Sequence, residues 1–547
     1  MRGDEIAQKA RTLRQFWNKR NTKFKEWYKL IQMVDQLEQD GMESFVGNDP
    51  RAAYNLVLNM LDTTIPHRIA SEDLDKGLIS AASQVEKFYK LAWKDIHKRY
   101  RQGLSEGFMQ DLIGFLIATG WFSVFTQVTP DGKRCMAEVW NPATVYPNFG
   151  FDELIECSHI VELTPMEAQR LIVRNEWPMK TPQTKVTLFD YWWLDEAGVV
   201  HNAIALDRTR VKDDTVEERF SRIPVFVGAV GGLPDTGILQ DTDVDRWKEE
   251  KGQSSIATNE HIYKYWNKWW TFTMQLLRDT AQPRIKEKSK GTKIVKPEDV
   301  FRRGAIWRMG VDEDVDFVVP PPIPVEMRTT QLDLEAMAQR GGPPWALYGP
   351  VQQQLTSYVF AQIASAAQQM AKPFHRGIIN LISDIDNFWL QMIKDTGAKP
   401  YGFEIPDELP DDVEISAEYE IRIPGDLTRR ATEARMLNPD FSLSLIRVFD
   451  EVFPEVQNPL VEIARLRAEK AERHPIFYTI DLIVALREQA RMLTDAGEVE
   501  GARLSAMAAD NIEAQLTMQE GNLEEGTPEQ RIAAAVAERR LPAVPME

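Results

Sequence analysis

NEHIYKYWNKWWTFTMQLL, residues 259–277, decides the architecture of this 547-residue chain. Ile262, Tyr263, Tyr265, Trp266, Trp269, Trp270 and Phe272 recur at helical spacing, but they spread too far round the circumference for a single buried stripe. Large apolar side chains on several faces imply several neighbours. Two environments meet that need: the centre of a monomer core, or a helix packed between copies in a ring. The residues beyond 282 favour the ring. A basic excursion at 283–308 carries Lys286, Lys288, Lys290, Lys293, Lys296, Arg302, Arg303 and Arg308, which a core helix would not ordinarily lead into. A second helix returns at 325–339. The sequence GGPPWALYGPVQQQ, 341–354, then forms an irregular path, longer than the roughly 2–8 residues that usually join two helices. It opens a long helical pattern, 355–394, with Val359, Ile363, Met370, Phe374, Ile378, Ile382 and Ile385 on its apolar side. Pro373 sits inside that pattern. It lacks a backbone N–H, so the expectation is a kink, against the alternative of two helices broken at Lys372.

On the N-terminal side, Phe16, Trp17, Phe24, Trp27, Tyr28, Ile31, Val34 and Leu37 read as one helical segment. Asp49 before Pro50 starts a second, ending near Ile65-Pro66. Further helices are expected at 78–99 and 104–119. Gly120 changes the period. Trp121 to Val128 reads as strand, Pro130-Asp131-Gly132 as a turn and 136–140 as the returning strand, followed by an irregular crossing at 141–147. Short strands are expected at 160–163, 186–193, 225–230 and 413–423. The last hundred residues are mostly helical. Ile480, Ile483, Leu486, Ala490 and Leu493 mark one face, and Leu504, Met507, Ile512 and Leu516 another, with a break at Ala496-Gly497-Glu498. The fold class is α+β, mainly helical.

Hydrophobic content of 43% and charged content of 27% are those of a folded protein. The net charge of −18 is unevenly placed. Residues 404–547 hold 15 basic and 30 acidic side chains, a surface that repels phosphate. Residues 1–30 and 283–310 each hold 9 basic and 3 acidic, whereas 311–335 hold 1 and 7. A basic tip beside an acidic shaft attracts an oppositely charged neighbour, including another copy. Cys135 and Cys157 form no metal spacing and point to a reducing compartment. No run of about 20 apolar residues predicts a membrane span. The sequence has no phosphate-cradling G-x-x-x-x-G-K-[ST], no G-x-S-x-G and no H-E-x-x-H, and its seven histidines are scattered, so no catalytic residue, metal ligand or cofactor is assigned. Dispersed carboxylates leave one enzymatic alternative, a metal-dependent DNA-processing protein. A non-viral helical scaffold is the other.

Three stretches taken in order, DLIGFLIATGWFSVF with PDGK and AEVWNPATVYPNF (111–149), the helix, basic tip and helix of 253–341, and QRGGPPWALYGPVQQQLTSYVFAQIASAAQQMAKPF (339–374), resemble the portal proteins of tailed bacteriophages. The resemblance implies a wing at 1–250, a stem helix at 251–282, a clip at 283–322, a second stem helix at 323–341, a tunnel loop at 342–355, a long kinked wing helix with a return strand at 356–430, and a helical crown with a tail at 431–547. It implies a dodecameric ring at one capsid vertex, through which a separate terminase drives double-stranded DNA. The implied partners are the major capsid protein, the large terminase subunit and head-to-tail adaptors, in the virion and, during assembly, the host cytoplasm. On that resemblance Tyr348, Gln352, Gln353 and Gln354 line the channel. Lys286, Lys288, Lys290, Lys293, Arg302 and Arg303 meet adaptors or neighbouring clips. Trp266, Trp269, Trp270 and Phe272 pack between subunits, and Pro373 bends the wing helix.

Overall fold

A computed structural model describes the chain except residues 36, 38–43, 63–66, 71–78, 104, 152, 234–246, 282–283, 290, 292–293, 297, 299–301, 303–305, 319–324, 345–356, 407–408, 411–412, 419–420, 422–433, 436–443, 446–447, 449–451, 453–461, 464, 467–474, 496–498 and 522–547. The chain divides into two units, Met1–Arg429 and Arg430–Glu547.

In the first unit a five-stranded antiparallel meander forms a central layer: β4 (Val145–Phe149), β5 (Leu154–Leu163), β6 (Val186–Leu194), β7 (Val200–Leu206) and β8 (Thr209–Val216). Alternation along β6 sends Phe189 and Tyr191 to one face and Trp192 to the other. Helix α1 (Gly3–Phe16) covers the first face through Ile6 and Ala10, and α2 (Asn18–Ile31) extends the same cluster through Phe24 and Trp27. The single helical segment read from the sequence is thus two helices. Trp17 leaves helical geometry between them, and its indole N–H donates to the Pro147 carbonyl at 2.7 Å. Arg20 of α2 is fully buried between the rings of Trp17 and Trp121, each 4.8 Å away, and donates to the Pro142 and Val145 carbonyls. Burial lowers its pKa to about 9, so it remains cationic at neutral pH and ties α2 to the sheet.

The second face of the meander belongs to the main core. That core holds α3 (Asp49–Leu61), α4 (Ile79–Tyr100), α5 (Phe108–Thr119) and a three-stranded sheet ordered β3 (Cys135–Val139), β2 (Trp121–Val128), β9 (Val225–Ala229). A third, smaller cluster seats α6 (Pro165–Arg174) on the end of the meander through Ala168 and Ile172. Thr164 and Glu167 close a capping box at its start. Strands β1 (His67–Ala70) and β12 (Ile415–Glu418) pair antiparallel, His67 opposite Glu418, although most of the first unit separates them in sequence.

Gly120 is the joint on which the fold turns. Its φ of +71° ends α5 in the left-handed conformation, and a Cβ there would meet the Gln253 backbone at 2.3 Å. That close pass lets 253–256 lie against the end of α5. Gln253 N donates to the Val230 carbonyl at 3.0 Å, and Ser255 N and Ser254 Oγ both donate to the Ile117 carbonyl at 2.9 Å. The short helix α7 (Trp247–Glu250) precedes this segment, and α8 (Glu260–Ala281) starts from it.

After α8 come a two-stranded ribbon, β10 (Ile285–Lys288) with β11 (Asp314–Phe317), then α9 (Val325–Gly341) and α10 (Ser357–Thr396). Helix α10 runs unbroken through Pro373, which lies on its exposed side. Ala371, Phe374, Ile378, Leu381, Ile382, Ile385, Phe388, Trp389 and Met392 enter the main core. Trp389 donates to Thr126 Oγ1 at 2.7 Å, and the buried Asp386 accepts from the Trp93 indole at 2.7 Å. Asn387 exchanges two hydrogen bonds with the Ile415 backbone, fixing β12 on α10.

In the second unit, α11 (Pro475–Asp495) and α12 (Val499–Gly521) pack antiparallel, with Arg487 reaching Asp510 and Glu513. Ile483 and Ala490 face inward as the sequence predicts. Among the described residues of α12 Ala509 is buried, while Leu504 and Met507 are exposed. Ala509 is small enough to let the two backbones approach, which the larger side chains are not.

Candidate assembly surface

The base of α8 is held by charge as well as by packing. Ile256 and Tyr263 sit in the core beneath α1 and α2. The buried Glu260 accepts hydrogen bonds from Lys264 Nζ at 2.7 Å, Lys23 Nζ at 3.0 Å and Trp27 Nε1 at 2.9 Å. Burial alone would raise its pKa, but these donors prevail and bring it to about 2. Burial opposes the Lys264 charge too, and Glu260 and Glu26 outweigh it, raising the Lys264 pKa. Asn259 Nδ2 donates to the Ala338 carbonyl at 2.7 Å, and a Cβ on Gly341 would strike Asn259 Oδ1 at 2.1 Å. The end of α9 therefore lies against the start of α8, and the two helices form an antiparallel pair rooted at the core.

The segment before α3 straps one side of α8. Phe45 N donates to Thr271 Oγ1 at 3.0 Å, Gly47 N donates to Asn267 Oδ1 at 2.9 Å, and the Phe45 ring lies 5.5 Å from Trp270. Trp266, Trp269 and Trp270 are half-buried with centroids 5.1–6.4 Å apart, Trp266 stacked on Trp269 and both edge-on to Trp270. Phe272 is different. It is 60% exposed, one side of a stripe with Tyr265, which is 63% exposed. Met274 and Leu277 are exposed as well, as are Leu332 and Met337 on α9. Nothing in the amino-acid pattern of 44–48 announces the strap, because its two backbone N–H donors carry no side-chain signal.

At the far end of the pair, the ribbon register sets Lys286 opposite Asp316 and Lys288 opposite Asp314. The acidic run at 311–335 thus begins inside the basic tip, opposite its lysines, where the sequence reading divides tip from shaft. Lys286, Lys288 and Arg302 are exposed; Lys290, Lys293 and Arg303 lie outside the described residues. Ile306 (87% exposed), Met309 and Val311 put apolar surface beside these charges, and Trp307 packs on Phe317 with centroids 6.0 Å apart. Tyr348, Gln352, Gln353 and Gln354 also lie outside the described residues, so no geometry attaches to the channel-lining expectation. Among the described residues, no helix is long and apolar enough to cross a membrane.

No family model matches the chain, and no curated protein matches it. Among solved structures it is similar to a chain in the neck of an empty gene transfer agent particle computed with C6 symmetry, with TM-score 0.40, 12% identity, and coverage of 74% of this chain and 90% of that one. A chain in the neck of the native particle computed with C12 symmetry gives TM-score 0.39, 12% identity, and coverage of 74% and 89%. A chain of the native virion gives 0.38, 12%, and coverage of 74% and 88%.

Proposed function

We propose that this chain is one protomer of a portal ring, the channel at a capsid vertex through which viral double-stranded DNA is packaged and ejected. One observation carries the reading. The α8–α9 pair is anchored at its root by the Glu260 network, bears a charged ribbon at its tip, and leaves Tyr265, Phe272, Met274, Leu277, Leu332 and Met337 in water. Exposed apolar surface of that kind on a rigid helix pair marks a contact with another protein. A head-to-tail contact repeated round an axis closes into a ring.

In this reading 1–250 and 356–430 form the wing, 251–282 and 323–341 the stem, 283–322 the clip, 342–355 the tunnel loop and 431–547 the crown. Tyr348, Gln352, Gln353 and Gln354 face the bore, where neutral polar groups let phosphate slide. Lys286, Lys288, Lys290, Lys293, Arg302 and Arg303 meet adaptors or neighbouring clips. Terminase and the major capsid protein dock on the assembled ring, in the host cytoplasm before the virion is complete. The protein guides DNA passively and catalyses nothing.

Native mass spectrometry of the purified full chain tests the proposal. Assemblies at a single high multiple of the chain mass, twelve on the portal resemblance, support it. A monomer at every concentration removes it, and DNA cleavage on addition of Mg²⁺ or Mn²⁺ favours the enzymatic alternative.

A further inference from the structure

Helix α4 buries one face completely. Val85, Phe88, Tyr89, Ala92, Trp93 and Ile96 are all in the main core. Its opposite face has no counterpart to these. Lys87, Lys90, Lys94 and Lys98 are exposed there, followed by Arg101, whose N–H still donates to the His97 carbonyl and so continues the helical path. The spacing of three, four, four and three residues keeps all five on one side of the helix. At about 1.5 Å per residue they form a line about 21 Å long.

No carboxylate interrupts that line. Glu86 and Asp95 lie to its two sides, and Asp95 is occupied, accepting from Arg99 at 2.7 Å and from the Tyr401 hydroxyl at 2.9 Å. Among the described residues, none pairs its charge with any of the five. Among the described residues of α4, Leu91 is the one exposed large apolar side chain on this face, and no exposed aromatic ring accompanies it, so cations outnumber apolar groups there.

We propose that the outer face of α4 is a docking surface for duplex DNA, held through its phosphate backbone without reading sequence. A straight row of flexible lysines suits a regular line of phosphates, which positions a duplex but conveys no base identity. A chain with a net charge of −18 is repelled by DNA overall, and a local row of five cations overcomes that only over short range. The proposal does not depend on ring formation.

The test is fluorescence anisotropy of a labelled duplex of about 30 base pairs with the full chain, between about 50 and 200 mM salt. Five phosphate contacts give a slope of log K against log salt of about −4 to −5. Replacing all five (Lys87→Gln, Lys90→Gln, Lys94→Gln, Lys98→Gln, Arg101→Gln) should flatten the slope by about 4 and lower affinity at least about tenfold. Lys94→Glu alone should reduce the slope by one to two contacts' worth, about 1–2, and serves if the fivefold variant fails to fold. Lys25→Gln with Lys29→Gln, which removes exposed charge elsewhere, should leave binding unchanged. The proposal is overturned if the wild type does not bind DNA at low salt, or if the α4 and α2 variants weaken binding equally. It is also overturned if the α4 variant alters self-association and not DNA binding, which would make the acidic 404–547 region of another copy the occupant.

Discussion

Glu260 connects the chemistry of single side chains to the geometry of the candidate assembly surface. Its carboxylate is the acceptor on which Lys23, Lys264 and Trp27 converge, and it stands at the first residue of α8. Glu260→Gln leaves Lys23 and Lys264 with only the more exposed Glu26 as a charge partner, at 3.5 and 3.3 Å, and should destabilise the protein by about 3 kcal/mol at pH 7. The folded pKa of about 2 lies below the ordinary carboxylate value of 4.5, so this stabilisation is fully present above about pH 4.5. It is lost as pH falls through about 2. Thermal melts of wild type and Glu260→Gln should therefore differ at pH 7 and converge between about pH 4.5 and 2. A constant difference across that range would assign the effect to packing instead of charge. Gly120→Ala tests the joint beneath α8. An alanine there must hold a φ of +71° and displace the Gln253 backbone, so the loss should exceed about 1 kcal/mol, read as a lowered denaturation midpoint.

Among the elements, α8 is where the amino-acid pattern said most. Its breadth of aromatic residues signalled more than one neighbour, and the neighbours on this chain are the 44–48 strap, the α2 side chains and the end of α9. The Tyr265 and Phe272 stripe has none of these. Tyr265→Ser with Phe272→Ser should change the stability of the isolated chain by less than about 1 kcal/mol, because those rings are already in water. The same pair should abolish assembly in size-exclusion chromatography with light scattering. Retained assembly would place the subunit contact elsewhere. Reversing charge at Lys286, Lys288, Arg302 and Arg303 should impair tail attachment or ring formation in packaged particles, and normal particles would remove the clip role. The regular period of α10 and the turn signals at Gly120 and 130–132 were readable because local rules and burial agree there. Strands β7 and β8 were not. In VHNAIAL the β-formers are interrupted by Asn and Ala, in TRVKDDTV by charge, and the pairing is set by neighbouring strands across the meander. The α4 lysines were present in the sequence at helical spacing, but their meaning depends on knowing which face of α4 the core takes.

For the whole molecule, the mixed α+β architecture, the extended helix pair with a ribbon at its tip and the long helix after it follow one another in the order the sequence predicts. The pairing of β1 with β12 and the threading of 251–256 over the end of α5 did not follow from local pattern, since each joins segments far apart in the chain. The first closure fixes β12 on α10, the second braces the base of α8, and the Tyr265 and Phe272 stripe of α8 stays exposed. The most direct measurement is negative-stain electron microscopy of the purified full-length protein. Round particles with a central hole and a fixed number of subunits are the predicted result. A field of single, separate protomers at every concentration, with or without scaffold or capsid partners, would contradict the account.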